Sequence, residues 1–267
     1  MPQSDCPKCG GSGWTIVERE AVSGAERCEC ALTDRSRRFE ERAGIPPLYT
    51  SADFDNFNAR DPGNPVAQSG LQSALLTVRS YARNFPHTKK RGLLFIGEPG
   101  TGKTHLAVAA FRSLLSRGFE GLFFDYQNLL DRIRASYVES SGASDRAAYQ
   151  SALDADLLLL DDLGSHRAKE FVEDVVTAII THRCNNQKAL IATTNLPDPE
   201  LGDRVVERDS GLPQKSFAKE VLADRIGARA RSRLFEMCTI VRMPLVEDYR
   251  LRKLGMAHAA KPHKTVG

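Results

Sequence analysis

A glycine-rich segment in the middle of the chain has the residue types and the spacing that bind phosphate groups. It fits the pattern G-x-x-x-x-G-K-[ST] and reads Gly97, Glu98, Pro99, Gly100, Thr101, Gly102, Lys103, Thr104. Glycines let backbone N–H groups converge on phosphate oxygens, and the helix that follows adds its positive dipole end. Lys103 is predicted to contact the β and γ phosphates of ATP, and the Thr104 hydroxyl to ligate Mg²⁺. The segment predicts a site for ATP with magnesium; the alternative is a chance match on a glycine-rich surface turn.

Polar residues follow two other apolar runs of the chain. Asp161 and Asp162 come directly after four leucines, and Asn195 ends a run that begins at Ala189. Because ligands of open α/β folds bind at the carboxyl ends of the strands, we expect these side chains near the phosphates. Asp161 is the predicted magnesium carboxylate, Asp162 would orient or deprotonate the attacking water, and Asn195 would reach the γ-phosphate or that water. The alternatives are two acids that cap the next helix and an asparagine that only forms a turn.

Three arginines recur at helical spacing in the last third of the chain. Arg225, Arg229 and Arg233 are four residues apart and would line one face of a predicted helix over residues 216–237. Like charges at this spacing repel by a few tenths of a kcal/mol, so a compensating anion is expected, and a phosphate suits guanidinium groups. If one of them completes a neighbouring subunit's ATP site, hydrolysis requires self-association. The alternative is pairing with carboxylates elsewhere in the fold, or simple solvation.

Four of the six cysteines lie in the first 30 residues, as Cys6, Cys9, Cys28 and Cys30. The start of the chain has no secretory signal, and no apolar run approaches the ~20 residues of a membrane helix, so we expect a cytoplasmic protein with reduced thiols. The C-x2-C and C-x-C pairs suit tetrahedral Zn²⁺, which would stabilise a segment too small to fold alone. The alternatives are free thiols or a redox pair. Cys184 and Cys238 are expected to be core or boundary residues.

The bulk composition is that of a globular domain with appendages. The chain has 267 residues, of which 41% are apolar and 27% charged. The formal net charge of +3 is too small to indicate nucleic-acid binding by itself.

Apolar runs alternate with helical patterns from residue 91 onward. Predicted strands cover residues 92–96, 121–124, 157–160, 189–193 and 238–243, and predicted helices cover residues 35–43, 68–84 and 103–115. The alternation predicts an α/β fold with a mostly parallel sheet covered on both faces. The predicted divisions are a zinc-binding segment (1–33), a helical or linker region (34–90), an ATPase domain (91–247) and a basic tail (248–267).

In this order the motifs resemble those of AAA+ ATPases, which are P-loop NTPases with three αβα layers. More narrowly, the chain resembles the DnaC/IstB-like group, which includes replicative helicase loaders and transposition helper ATPases. The narrower likeness rests on residues 44–49, 129–134, 161–164, 226–234 and 248–250. It extends over roughly residues 40–250.

The resemblance implies roles that spacing alone does not give. Arg233 looks like an arginine finger with Arg229 beside it, Arg250 like a nucleotide-sensing arginine, and Asn195 like the first sensor. Residues 128–150 resemble a helical insert that engages single-stranded DNA; the basic and aromatic residues there are Arg132, Arg134, Arg146, Tyr137 and Tyr149. The alternative for the insert is a solvated helical hairpin. Asp162 departs from the family pattern, because many AAA+ proteins carry glutamate there, and a slow turnover is therefore expected.

The resemblance implies an ATP-dependent helicase loader that binds Mg²⁺, single-stranded DNA and a hexameric replicative helicase, with no membrane partner. Some loaders carry a partner-binding domain where this chain has its cysteines. The main alternative is a transposition helper that acts on double-stranded DNA with a transposase. A P-loop small-molecule kinase and a binding module that does not hydrolyse ATP are the other hypotheses.

Overall fold

The computed structural model describes residues 5–19, 22–61, 63–135, 143–165, 170–201 and 220–250. The strands are β1 (Trp14–Arg19), β2 (Val22–Arg27), β3 (Gly92–Ile96), β4 (Gly121–Asp125), β5 (Leu157–Asp161), β6 (Ala189–Thr194) and β7 (Cys238–Arg242). The helices are α1 (Glu29–Arg42), α2 (Pro65–Asn84), α3 (Lys103–Ser116), α4 (Tyr126–Ala135), α5 (Ala143–Asp154), α6 (Glu170–Asn185), α7 (Leu222–Ile226) and α8 (Ala228–Met237). Among the described helices, none has the length and apolar character that crossing a bilayer requires.

Five strands form one parallel sheet in the order β4-β5-β6-β3-β7. Parallel strands buried on both faces appear in sequence as continuous apolar runs, and all five predicted runs are strands of this sheet. The α/β prediction is confirmed. Because β3 lies next to β6 and β6 next to β5, the carboxyl ends of these three strands are neighbours.

Each face of the sheet carries its own apolar core, because side chains alternate along a strand. Leu93, Phe95 and Leu159 face the side covered by α2 and α3. Leu94 and Leu160 face the opposite side, covered by α4, α6 and α8. This packing fixes the register of the strands, since a shift by one residue would exchange the two faces.

Helix α1 begins earlier than the predicted helix over residues 35–43. It starts at Glu29, directly after the extended Cys28, whose carbonyl accepts the N–H groups of Ala31 and Leu32. The prediction started the helix at Arg35, with Thr33 and Asp34 as its caps, but the chain already turns into the helix at Cys28. Ser36 on α1 donates to the Ser116 carbonyl at the end of α3, at 2.9 Å, so α1 is attached to the sheet domain.

The single helix predicted over residues 216–237 is wrong. Residues 216–219 lie outside the described ranges, and the remainder is divided into α7 and α8 by Gly227, with φ 82° and ψ 150°. A Cβ at residue 227 would lie 2.2 Å from a carboxylate oxygen of Glu173, whose flexible side chain could move aside, so it is the positive φ that favours glycine here. Arg225 is therefore not on the same helix as Arg229 and Arg233.

Arg183 on α6 is fully buried and connects three elements. Its guanidinium donates to the carbonyls of Ala152 and Ala155 at 2.9 Å, near the end of α5, and to the Asp156 carbonyl, just before β5, at 3.2 Å. It also donates to the carbonyl of Ala189, the first residue of β6. Burial lowers the pKa of Arg183 to about 10, with Asp156 and Asp154 acting in the opposite direction.

Replacing Arg183 with methionine should lower the free energy of unfolding by about 3–5 kcal/mol, because several buried carbonyls lose their donor. Urea denaturation would measure the loss. Arg37→Met on α1 is the control, since the Arg37 side chain is 70% exposed and forms surface ion pairs. Equal losses in the two variants would contradict the structural role of Arg183.

Candidate functional site

The glycine-rich segment connects the carboxyl end of β3 to the first turn of α3. Gly100 and Gly102 have φ values of 74° and 90°, which favour glycine. A Cβ at residue 102 would lie 2.7 Å from the ring of Phe57, and one at residue 100 would lie 2.0 Å from the Asp248 carboxylate. The loop thus has no room for larger residues, and the first amides of α3 point toward its concave side.

Lys103 is the first residue of α3 and its side chain is buried, with 6% exposed. Its Nζ donates to the Glu98 carbonyl at 2.8 Å, within the loop itself. Burial lowers the pKa of Lys103 to about 8, while the carboxylates of Asp162 and Asp161 act in the opposite direction. A poorly solvated ammonium group favours an anionic ligand, and the two carboxylates beside it favour a cation bound to that ligand.

Asp161 lies at the carboxyl end of β5 and accepts two hydroxyl hydrogen bonds. Its Oδ1 accepts from Thr104 Oγ1 at 2.9 Å and from Thr193 Oγ1 at 2.6 Å. Burial raises the pKa of Asp161, and these two hydrogen bonds act against the rise. The two predicted magnesium ligands, Thr104 and Asp161, are therefore adjacent, as oxygens in a shared coordination sphere must be.

Asp162 and Asn195 are hydrogen-bonded across two neighbouring strand ends. Asn195 Nδ2 donates to Asp162 Oδ1 at 2.6 Å, and Thr193 Oγ1 accepts the Asp162 N–H at 3.0 Å. Asp162 has a positive φ of 58°, uncommon for a non-glycine residue. Burial raises the pKa of Asp162, and Lys103 acts against the rise. These bonds join the ends of β5 and β6 through the two side chains.

The cleft at this edge encloses 830 Å³, and part of its lining was not assigned a role from the sequence. Apolar and aromatic residues outside the residue 97–104 loop line it as well, and they are Leu48, Tyr49, Phe57, Leu71, Val246 and Tyr249. Such a wall beside a phosphate-binding loop suits a flat nucleobase. Arg250 also lines the cleft, and the Tyr249 N–H donates to the Gly100 carbonyl at 3.2 Å, so the end of the described chain lies against the loop.

The three predicted arginines lie elsewhere and are not equivalent. Arg225 on α7 is mostly buried and forms an ion pair with Glu220. Arg229 on α8 is exposed, and Arg233 pairs with Glu236 at 2.7 Å. None of the three is among the residues that line the cleft of this subunit in the described part of the chain. Pairing with carboxylates, the alternative considered from the sequence, thus applies to Arg225 and Arg233.

The predicted single-stranded DNA insert consists of α4 and α5 where it is described. The Arg132 guanidinium lies 5.8 Å from the centre of the Phe124 ring, and Arg134 is 3.7 Å from the Asp131 carboxylate. Tyr149 packs against the apolar core, while Tyr137 and the side chain of Arg146 lie outside the described residues. Arg132 and Arg134 thus both contact other side chains of the protein.

The four N-terminal cysteines converge into one cluster. The sulfur atoms of Cys6, Cys9, Cys28 and Cys30 all lie within 4.8 Å of one another, and all four are free thiols. The ribbon of β1 and β2 joins the two pairs, and the Gly13 N–H donates to Cys9 Sγ at 3.3 Å. Desolvation acts to raise the pKa of Cys9, but hydrogen bonds from the Gly13 N–H and the Cys30 thiol lower it to about 6. The pKa of Cys30 moves the other way, because desolvation and the neighbouring thiols raise it to about 12. Four sulfurs this close can all ionise only around a cation, and the donor set fits Zn²⁺.

Comparisons with known proteins agree with this geometry. A family model described as IstB-like ATP binding protein matches residues 33–244. The replicative helicase loader DnaC of Escherichia coli (strain K12) is 26% identical over 178 residues, which cover 65% of this chain and 69% of that protein. An uncharacterized protein of the same strain, YdaV, is 29% identical over 199 residues, covering 72% of this chain and 76% of that one.

Solved structures place the chain in the same group. A crystal structure of the DnaC helicase loader superposes with a TM-score of 0.58 at 31% identity, covering 74% of this chain and all of that one. DnaI, at 19% identity and a TM-score of 0.54, shares the fold. The family match extends over most of the chain and includes the loop at residues 97–104, both acids and Asn195. The chain therefore belongs to the IstB-like ATP-binding family, within the DnaC/IstB-like group of AAA+ ATPases.

Proposed function

We propose that this protein is a helicase loader that acts in DNA replication in the cytoplasm and hydrolyses ATP. The observation that carries the proposal is the likeness to the DnaC helicase loader, whose entire compared chain is covered at 31% identity. The hydrogen-bonded groups at the carboxyl edge of the sheet supply the chemistry that such a role requires.

In this proposal the amides of the residue 97–104 loop and the Lys103 ammonium bind the phosphates of ATP. Thr104 and Asp161 would hold Mg²⁺, which when bound neutralises phosphate charge; their oxygens are 2.9 Å apart and both face the cleft. Asp162 orients the attacking water and takes its proton, and Asn195 holds the Asp162 carboxylate in place. The aromatic wall with Tyr49 and Phe57 receives the base.

The arginines of α8 would act on a neighbouring subunit. Arg233 is the proposed finger with Arg229 beside it, and the exposure of Arg229 on the outer surface of α8 supports a role between subunits. Arg250 would contact the nucleotide of its own subunit, because it lines the same cleft as Lys103. Hydrolysis would thus depend on self-association and be slow in the isolated subunit.

The four-cysteine cluster is the proposed zinc site, and its segment the proposed contact to the protein partner. Chelation of zinc should abolish partner binding before it affects ATP binding, because the small segment has little apolar core of its own. Zinc content and calorimetric ATP affinity are the measurements, with Cys28→Ser as the site variant and Cys184→Ser as the matched control. Purified protein without zinc, or ATP binding lost together with zinc, would contradict this assignment.

The experiment that tests the proposed function is co-elution with the host's hexameric replicative helicase, with and without ATP. We expect a complex with that helicase and ATP-dependent loading of the helicase onto single-stranded DNA. The complex should be lost in Cys28→Ser. If the helicase and this protein elute separately under every nucleotide condition, the loader function is wrong.

A transposition helper is the second candidate, and the family description favours it, since the matching model is named for IstB-like proteins. This candidate predicts ATP-dependent binding of double-stranded DNA and of a transposase. Filter binding with double- and single-stranded oligonucleotides of equal length separates the two candidates, because each predicts a preference for a different form.

A further inference from the structure

A buried ion pair joins the segment that follows Asn195 to α8. Neither of its two residues, Asp198 and Arg231, lines the ATP cleft. Asp198 is 2% exposed, and its two carboxylate oxygens accept from Arg231 Nε at 2.5 Å and Arg231 Nη2 at 2.7 Å. This two-point geometry fixes the orientation of the guanidinium as well as its distance. Arg231 also lies 4.5 Å from the centre of the Phe235 ring and pairs with the exposed Glu200 at 2.8 Å.

The same segment contacts the acidic turn at its other end. Asn195 donates to Asp162, and a Cβ at Gly164 would lie 2.6 Å from Leu196, which shows how closely that turn and the segment approach. The Pro197 carbonyl accepts the Leu222 N–H of α7 at 3.2 Å. Residues 195–198 are therefore packed between the acidic turn and the helices that carry the arginines.

Arg231 faces inward, whereas the two arginines on either side of it do not. Residues two apart on a helix lie on different faces, so a fixed Arg231 also fixes the direction of Arg229 and Arg233. Arg229 is exposed and the Arg233 side chain is 44% exposed, whereas that of Arg231 is only 18% exposed. The Asp198–Arg231 pair, together with the buried Ala230, Leu234 and Met237, thus fixes the rotation of α8 about its axis and joins the helix to the segment that begins at Asn195.

We propose that Arg231 is a positioning residue that couples the Asp162–Asn195 contact at one ATP site to the arginines presented to the neighbouring subunit. This inference rests on the proposed function, because it assumes that α8 contributes Arg233 to the neighbour's site. The pair joins α8 to the segment that begins at Asn195, so a displacement of that segment at one ATP site also displaces the arginines presented to the neighbour. Arg231 itself touches neither nucleotide.

The test separates a positioning role from a merely structural one by subunit mixing. Arg231→Met should lower the turnover of the assembled protein about 10- to 100-fold while the KM for ATP changes less than about 2-fold, because its own phosphate-binding loop is intact. Adding Lys103→Ala subunits, which retain the arginines but lack the lysine, should restore turnover well above the sum of the two variants. Arg231→Lys, which keeps the charge but loses the two-point geometry, should resemble Arg231→Met and is less disruptive to folding.

Controls make each failure distinguishable. Glu200→Gln removes only the exposed partner and should leave turnover unchanged, and Asp198→Asn should match Arg231→Met, with no further loss in the double variant. If Arg233→Ala is complemented by Lys103→Ala but Arg231→Met and Arg231→Lys are not, the positioning role is overturned and the shared site stands. If no pair complements, the shared site and the inference are both wrong. A rise in KM equal to the fall in turnover would likewise overturn the inference.

Discussion

Replacing Lys103 with alanine is expected to lower the affinity for Mg·ATP about 10²- to 10³-fold and to abolish turnover. One charge about 4 Å from another contributes roughly 4 kcal/mol at the effective dielectric constant of ~20 typical of partly buried sites. Because Lys103 is only 6% exposed and lies beside the phosphate-binding amides, little water screens that attraction. Isothermal titration calorimetry with Mg·ATP measures the affinity directly.

The fold should survive this substitution, so the loss can be assigned to binding. Lys103 Nζ donates to the Glu98 carbonyl within its own loop, and alanine favours the first turn of α3. Burial disfavours the charged form of Lys103 and lowers its pKa to about 8. Removing this buried charge should therefore leave the melting temperature the same or raise it. Lys89→Ala, at an exposed lysine outside the cleft, is the matched control. Undiminished heat of binding in Lys103→Ala would refute the phosphate-site assignment.

The sequence was sufficient for the sheet and the phosphate-binding loop, because both depend on local patterns. The apolar runs at residues 92–96 and 157–160 are continuous since both sides of the strand are buried, and the glycines that precede Lys103 are required by backbone angles. Parallel pairing then brings Asp161 and Asn195 to one edge, which followed from the fold class alone.

Features that depend on distant contacts could not be predicted in this way. Arginine spacing suggested one face with Arg225, Arg229 and Arg233, but it could not show that Gly227 breaks the helix against Glu173. The periodicity likewise gave no sign that a fourth arginine, Arg231, turns inward, because its partner Asp198 is 33 residues away.

The aromatic wall of the cleft was missed for a similar reason. Tyr49, Phe57 and Tyr249 come from separate segments that meet only in the folded chain, and none has a pattern around it that indicates base binding. The sequence signals were the resemblances of residues 44–49 and 248–250 to other members of the group, and these did not specify a contact.

Replacing Asp162 with asparagine is expected to reduce turnover about 10²- to 10⁴-fold, the usual contribution of a general base. The substitution is conservative in structure: asparagine tolerates the φ of 58° at this position, and its side-chain oxygen can still accept from Asn195 Nδ2. What the variant lacks is a carboxylate that can take the proton of the attacking water. ATP affinity should therefore stay the same or increase, because one negative charge beside the phosphates is removed.

Single-turnover phosphate release, measured with calorimetric affinity on the same preparation, separates the two effects. Asp131→Asn makes the same chemical change on the surface of α4 and should behave as the parent protein does. Turnover that persists unchanged in Asp162→Asn, with ATP bound, would mean that this carboxylate does not take the proton of the attacking water. The Asp162–Asn195 pair would then serve only to detect the nucleotide. Its 2.6 Å hydrogen bond joins the acidic turn to the segment that holds Asp198, and this contact does not depend on proton transfer.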